Sequence, residues 1–408
     1  MRVMKGAVSV VAGECGIDPA RLLDLEGRAR AEADKGYRVL AVARGAEGAA
    51  LELVGLVALA DPPRPDAAAL VAALRDLGVA VKMLTGDALP VAQEIAHKVG
   101  LATVRRVADL KGTAEGGPAL AELAEGTDGF AEVYPEDKYA VVQRLQAAGH
   151  AVGMTGDGVN DAPALRQAEV GIAVSNATDV AKGAASVVLT DEGLSGIVSL
   201  VEQGRVIYQR ILTWVVNKIS RTILKSAFVT LAFVVTGRFV ISASAMLLLV
   251  FLTDFAKIAL ATDRVRWSRR PETWRSTGYI QVAVVLGVVM VIEACGSLAI
   301  GWRAFDLATD TAALHTFTFQ TLFYFALFSI LSMRERRRFW ASRPSGTLIL
   351  VLALDAVVGT ALSMIGVPGL APLPWRETLA VFSYAMICCL LVNDLLKAAL
   401  TKRVGLQT

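Results

Sequence analysis

Asp157 and Asp161 stand four residues apart in the run GMTGDGVNDAPAL, residues 153–165. Carboxylates that close repel each other unless a cation lies between them. Oxygen ligands that leave room for water and phosphate suit Mg²⁺, and such an ion neutralises charge on a phosphoryl group in transfer. Gly156 and Gly158 flank the first acid, where they let the backbone turn sharply after a strand. Asn160 beside them can orient a ligand or a water. Thr85, followed by Gly86 and Asp87 in MLTGD (83–87), ends another apolar run, and its hydroxyl with the next amides can grip phosphate oxygens. Lys138, in YPEDKYAVVQRL, opens a helix whose N-terminus favours anions. The P-loop pattern is absent, so the phosphate chemistry is of another kind.

Strand and helix patterns alternate around these residues. Leu53–Leu59 and Val79–Leu84 read as strands, as do Glu132–Tyr134, His150–Met154, Gly171–Val174 and Ser186–Leu189. Helices are expected over Pro65–Leu77, from Asp87 to about Val99, and over Pro135–Ala148, with a polar, Gly-rich connection near 111–129. This alternation predicts a parallel sheet covered on both faces, with ligands at the carboxyl ends of its strands. Residues 1–55 carry strand patterns at Val8–Val11, Arg38–Ala43 and Leu51–Val54 and a helix near Ala20–Lys35, part of a further domain.

The 408 residues are 54% hydrophobic with a mean hydropathy of +0.52, and the apolar residues concentrate after Ile211. Six blocks, about 212–236, 241–260, 279–301, 315–333, 346–366 and 377–397, each have roughly the 20 residues that cross a bilayer. The expected partition is 1–55, 56–205 and a membrane domain 206–408. Arg264, Arg266, Arg269, Arg270 and Arg275 follow the second block, and Arg334, Arg336, Arg337, Arg338 and Arg343 the fourth. With Lys397, Lys402 and Arg403 near the end, they place both termini and the soluble half in the cytoplasm of a cell-membrane protein. A net charge of +3 gives no reason to expect nucleic acid. Cys15, Cys295, Cys388 and Cys389 make no C-x-x-C pair and the three histidines are scattered, which excludes a recognisable zinc site. The apolar run near the N-terminus is too short for a signal peptide.

DPPR (61–64), MLTGD, Lys138 in its proline-led helix and TGDGVNDAPAL (155–165) follow one another in the order typical of P-type cation-transporting ATPases, which the chain resembles over essentially its whole length. The resemblance implies an α/β haloacid dehalogenase-like, Rossmann-like phosphorylation domain joined to an all-α six-helix transmembrane domain, with a partial nucleotide-binding domain at the N-terminus. It implies that Thr85 and Lys138 contact a phosphoryl group, that Asp157 and Asp161 serve Mg²⁺, and that Lys5 and Gly6, in a KGA string, line the ATP pocket. The family's DKTGT string, which bears the phosphorylated aspartate, does not occur in these residues. The acceptor would then come from the N-terminal half of the pump, supplied in trans or lost by truncation, and the chain alone is expected to be inactive.

Asp254 sits mid-span in FLTDFAKIALATDRV, where a charge costs at least about 2.5–3.5 kcal/mol and is functional by default. Its plainer role is a pair with Lys257, three residues on. Arg221 and Lys225 in the preceding span can lower its pKa or displace its cargo. The stretch resembles proton-pumping plasma-membrane ATPases, in which an aspartate here serves transport and a basic residue of the preceding helix pairs with it; an ungapped count favours Lys225. One carboxylate beside a cation suits a proton better than Ca²⁺ or Mg²⁺, the alternative cargoes. Asn217, Glu293 and Asp355 are further candidates, and a continuous helix from about Leu194 would link the two halves. The competing functions are a membrane-tethered phosphatase and a non-catalytic protein that regulates an intact pump.

Overall fold

The computed structural model describes residues 1–111, 125–272 and 276–405. Arg275 and most of the polar connection near 111–129 lie outside the described residues. The chain divides into two compact units, Met1–Val201 with Arg269–Pro271, and Glu202–Ser268 with Glu272–Thr408.

The first unit opens with an antiparallel sheet of β1 (Arg2–Gly6), β2 (Arg38–Gly45) and β3 (Glu52–Leu59), in that spatial order. The sheet therefore runs past residue 55, and the two patterns read at Leu51–Val54 and Leu53–Leu59 are one strand. Val8–Val11, expected to be a strand, lies in the helix Val8–Glu14. Val8, Val11 and Ala12 all turn inward there, and the i, i+3, i+4 face that packs with Leu25 and Ala41 overrides the β preference of valine. A second helix, Pro19–Ala33, is capped by Asp18, whose carboxylate accepts from the amides of Ala20 and Arg21.

Among the described residues six short strands follow, and every ladder among them is parallel. They form two three-stranded sheets rather than the single one expected. In the first, β4 (Met83–Leu84) lies beside β6 (Gly129–Ala131), which lies beside β5 (Val104–Arg106). In the second, β7 (Gly153–Gly156), β8 (Val170–Ala173) and β9 (Val187–Val188) are in sequence order. β6 precedes the expected Glu132–Tyr134, because Glu132 adopts a left-handed φ of 58° that ends the strand. Phe130 and Ala131 are fully buried, and the helix Pro135–Ala147 follows.

The second unit is helical. Among the described residues six helices are long and apolar enough to cross a membrane: Ser195–Thr236, Ala243–Leu260, Thr277–Ala304, Thr311–Met333, Gly346–Ile365 and Trp375–Arg403. The first is unbroken for 42 residues. The fourth is the core, with Phe317, Phe319, Phe323, Tyr324 and Phe325 all fully buried. Phe323 lies so close to Gly359 that any Cβ there would stand 2.3 Å from its ring, the close approach that small residues permit between membrane helices. The sixth helix is interrupted by a π-helical turn at Cys388–Asn393.

Candidate functional site

β7 ends at Gly156, and a 3₁₀ turn, Val159–Asp161, leads into the helix Ala162–Gln167. Asp161 folds back over the strand end. Its Oδ2 accepts from the amides of Asp157 and Gly158, both at 3.2 Å, and its Oδ1 accepts from Lys138 Nζ at 2.6 Å. Gly156 serves clearance here: a Cβ would fall 2.6 Å from Asp161 Cβ. Neither Gly156 nor Gly158 has a positive φ, so the sharp turn expected of them is not their role. Burial pushes the Asp161 carboxyl up, but Lys138 and the two amides outweigh it and hold the group below the usual carboxylate range.

Lys138 stands in the first turn of Pro135–Ala147, which Asp137 fastens by accepting from the Tyr134 amide at 3.1 Å. Thr85 follows β4. Its hydroxyl donates to Asp87 Oδ2 at 2.8 Å and accepts from the Asp87 amide at 3.2 Å, so the pair closes a small ring around exposed Gly86. The carbonyls of Thr85 and Asp87 accept from the amides of Val133 and Glu132, tying this turn to the segment that starts the Lys138 helix. Glu132, with its strained backbone, is the participant that the sequence did not reveal; nothing in its side chain signals a left-handed residue.

The structure thus brings Lys138, Asp161 and the Asp157 backbone together, and Thr85 with Asp87. No described hydrogen bond joins the two groups. The Asp157 carboxylate is exposed and makes no hydrogen bond or ion pair among the described residues, and Asn160 is exposed beside it. A magnesium ion fits that free carboxylate, because Mg²⁺ binds through one or two carboxylates and keeps several waters. Asp161, with both oxygens engaged, suits a positioning role better than direct ligation. Lys5 lies exposed on edge strand β1, paired in register with Val42, and Gly6 opposite Ala41.

In the helical unit, Asp254 pairs with Lys257 one turn along the same helix. Arg221 is buried and Lys225 half-buried, and among the described residues neither is hydrogen-bonded to Asp254. They line one cavity with Asn217, Lys218 and Lys257. Lys218 was legible: 218, 221 and 225 fall on one helical face. Asn217 donates to the Thr213 carbonyl at 3.0 Å while its own oxygen is buried without a partner. Glu293 and Asp355 are both buried. Arg334, counted for orientation, is an internal partner of Asp263 at 2.7 Å.

A haloacid dehalogenase-like unit and a set of membrane-spanning helices in one chain define a membrane protein with phosphoryl-transfer ancestry. The family model described as haloacid dehalogenase-like hydrolase matches residues 2–169, and a second of that description matches 138–201. The model for the C-terminus of cation transporting ATPases matches residues 238–399. A protein of Methanocaldococcus jannaschii named as a cation-transporting ATPase is 36% identical over the whole chain, which spans 51% of it. Plasma membrane ATPase 1 of Saccharomyces cerevisiae is 34% identical over 82% of the chain, and its Schizosaccharomyces pombe namesake 38% over 64%. These stretches make up 37% and 29% of the two fungal proteins, so the chain spans about half, or less, of the length of these relatives. The chain belongs to the P-type cation-transporting ATPases and corresponds to their C-terminal portion.

Proposed function

We propose that the chain is the part of a cation pump that grips and helps to hydrolyse a phosphoryl group carried on an aspartate of another segment, and that carries protons across the cell membrane. The observation that carries this reading is the clasp of Lys138, Asp161 and the Asp157 and Gly158 amides at the end of β7. An ammonium held at a strand end suits the charge of a phosphoryl group in transfer. Thr85 and the amide of Gly86 would bind phosphoryl oxygens, with Asp87 orienting the Thr85 hydroxyl. Asp157 would hold magnesium, which when bound supplies neutralising charge. Lys5 and Gly6 would approach ATP. The phosphoryl acceptor, an aspartate, comes from a segment outside these 408 residues, which contain no DKTGT.

Asp254 is the proposed proton-bearing group, with Arg221 and Lys225 as the cations that favour its release of the proton. Among the described residues no cluster of three or more His, Cys, Asp or Glu exists around it, which favours a proton over Ca²⁺. The arginine-rich connections favour a cytoplasmic location for the termini and the phosphate site.

The test supplies the N-terminal half of a relative in trans. Incubation with γ-labelled ATP is expected to give an acid-stable, hydroxylamine-labile phosphoprotein on the added segment, reduced at least about tenfold by Lys138→Ala. ATP-driven acidification of vesicles should vanish with Asp254→Asn. Phosphorylation that ignores Lys138→Ala would overturn the phosphate assignment; unchanged acidification would overturn the proton path.

A further inference from the structure

Glu293 lies in the third membrane helix and is 9% exposed; Asn393 ends the π-helical turn and is 1% exposed. The Asn393 amide nitrogen donates to Glu293 Oε2 at 2.7 Å. The two remaining oxygens, Glu293 Oε1 and Asn393 Oδ1, are both buried and both lack a hydrogen-bond partner. An amide oxygen and a carboxylate oxygen are acceptors only, so neither can satisfy the other. Two orphaned acceptors on one interacting pair point to a missing donor.

The surroundings say which donor. A metal ion would need several more oxygens, whereas the groups around the pair are the Tyr384 phenol and two thiols, Cys388 beside Glu293 and Cys389 beside Asn393, which are weak donors, the second of them turned to the Phe325 carbonyl at 3.8 Å. The Tyr384 hydroxyl is spent on the Glu293 backbone carbonyl at 2.9 Å. Ser297, one turn along the third helix from Glu293, and Thr321 of the fourth helix bond each other at 3.0 Å. Lys397 is the cation next along the sixth helix, and it is committed to Asp394 at 2.6 Å, as is Arg338 at 3.7 Å. An ionised Glu293 would be a buried charge without a counter-ion.

We infer that Glu293 and Asn393 form a proton-binding site separate from Asp254. One proton on Glu293 Oε1, donated to Asn393 Oδ1, completes a carboxyl–amide ring whose other hydrogen bond is already in place. A single proton thereby satisfies both orphaned oxygens. Loss of that proton leaves two acceptors without donors, so occupancy is coupled to how the third helix packs on the π-helical turn, a type of helix insertion common at functional positions. The inference needs neither ATP nor transport, and its test is independent of the pump reading.

Infrared spectroscopy of the full chain in lipid bilayers at neutral pH tests it. The expected spectrum has a protonated-carboxyl carbonyl band that shifts in heavy water and is lost in Glu293→Gln. That variant keeps the ring, because a glutamine amide can donate to Asn393 Oδ1, and it should melt with the wild type. In Asn393→Leu the band should persist but move to the higher frequency of an unbonded acid, an independent reading should Glu293→Gln fail to fold. Identical carboxyl regions in wild type and Glu293→Gln would overturn the proposal. So would stabilisation specific to Na⁺ or K⁺ over choline that Glu293→Gln abolishes, which would make this a metal site.

Discussion

Lys138–Asp161 and Arg334–Asp263 are both short ion pairs, at 2.6 and 2.7 Å, yet they stand in different solvents. The Lys138 side chain is 22% exposed and Asp161 8%, at a strand end where a phosphate can reach them. Arg334 and Asp263 are 1% and 0% exposed. Arg334 also donates to the carbonyls of Ser342 and Arg264, and Asp263 also accepts from the Ser345 amide, so one pair ties the connections after the second and fourth helices together. A reachable pair keeps its charge available for a ligand, whereas a sealed pair spends all of it on the fold.

The largest effect should come from the sealed pair. Arg334→Ala or Asp263→Ala strands a buried charge, with an expected loss of about 3–5 kcal/mol. It would appear as a collapsed melting transition and protease-sensitive loops in detergent. The double replacement Asp263→Leu/Arg334→Met should recover much of that loss, since it strands no charge. If each single variant melts like the wild type, the contrast between the two pairs fails.

At the reachable site the next effect is steric. Gly156→Ala must displace Asp161, whose Cβ would lie 2.6 Å from the new methyl group. The expected loss is about 1–3 kcal/mol, the usual range for overpacking, measured by denaturant unfolding. Because the clash falls on the residue that holds Lys138, binding of a phosphate analogue such as vanadate should weaken as well.

The same clasp makes a signed prediction for pH. Asp161 has its folded-state pKa below the unfolded value, so its stabilisation is fully present above about pH 3.9 and disappears as pH falls through the folded value. Asp161→Asn should therefore be less stable than wild type by about 1.5–3 kcal/mol at neutral pH, the worth of hydrogen bonds to a charged group. The gap should narrow below about pH 4. A gap of constant size down to acid pH would mean that the charge of Asp161 contributes nothing.

The two regions also differed in how much their sequences disclosed. Lys138 and Asp161 stood out as candidates because they sit in contiguous strings, each at a helix start. What stayed hidden was tertiary: that Asp161 turns inward to bind Lys138 while Asp157 keeps a free carboxylate, and that Glu132 ends β6 with a positive φ. The six spans were legible from apolar length alone. Their internal charges were not, because Asp263 finds Arg334 across 71 residues and Glu293 finds Asn393 across 100, separations at which no periodicity operates. The helix at Val8–Glu14 was misread for the same reason: its inward face is decided by Leu25 and Ala41, distant in the chain.

The smallest expected effect tests the pair that belongs to neither extreme. Asp254 is 52% exposed and meets Lys257 along its own helix. A same-helix pair spaced i, i+3 contributes about 0.2–0.5 kcal/mol, so Lys257→Gln should shift the melting transition only slightly. If the pair existed to hold the helices together, Lys257→Gln and Asp254→Asn would destabilise alike and strongly. If Asp254 instead carries a proton past the cations of its cavity, the two variants separate by function while remaining similar in stability. In the reconstituted pump, Asp254→Asn then abolishes acidification and Lys257→Gln does not. Equal losses of transport from both would make the ion pair itself, rather than the carboxylate, the working element of that helix.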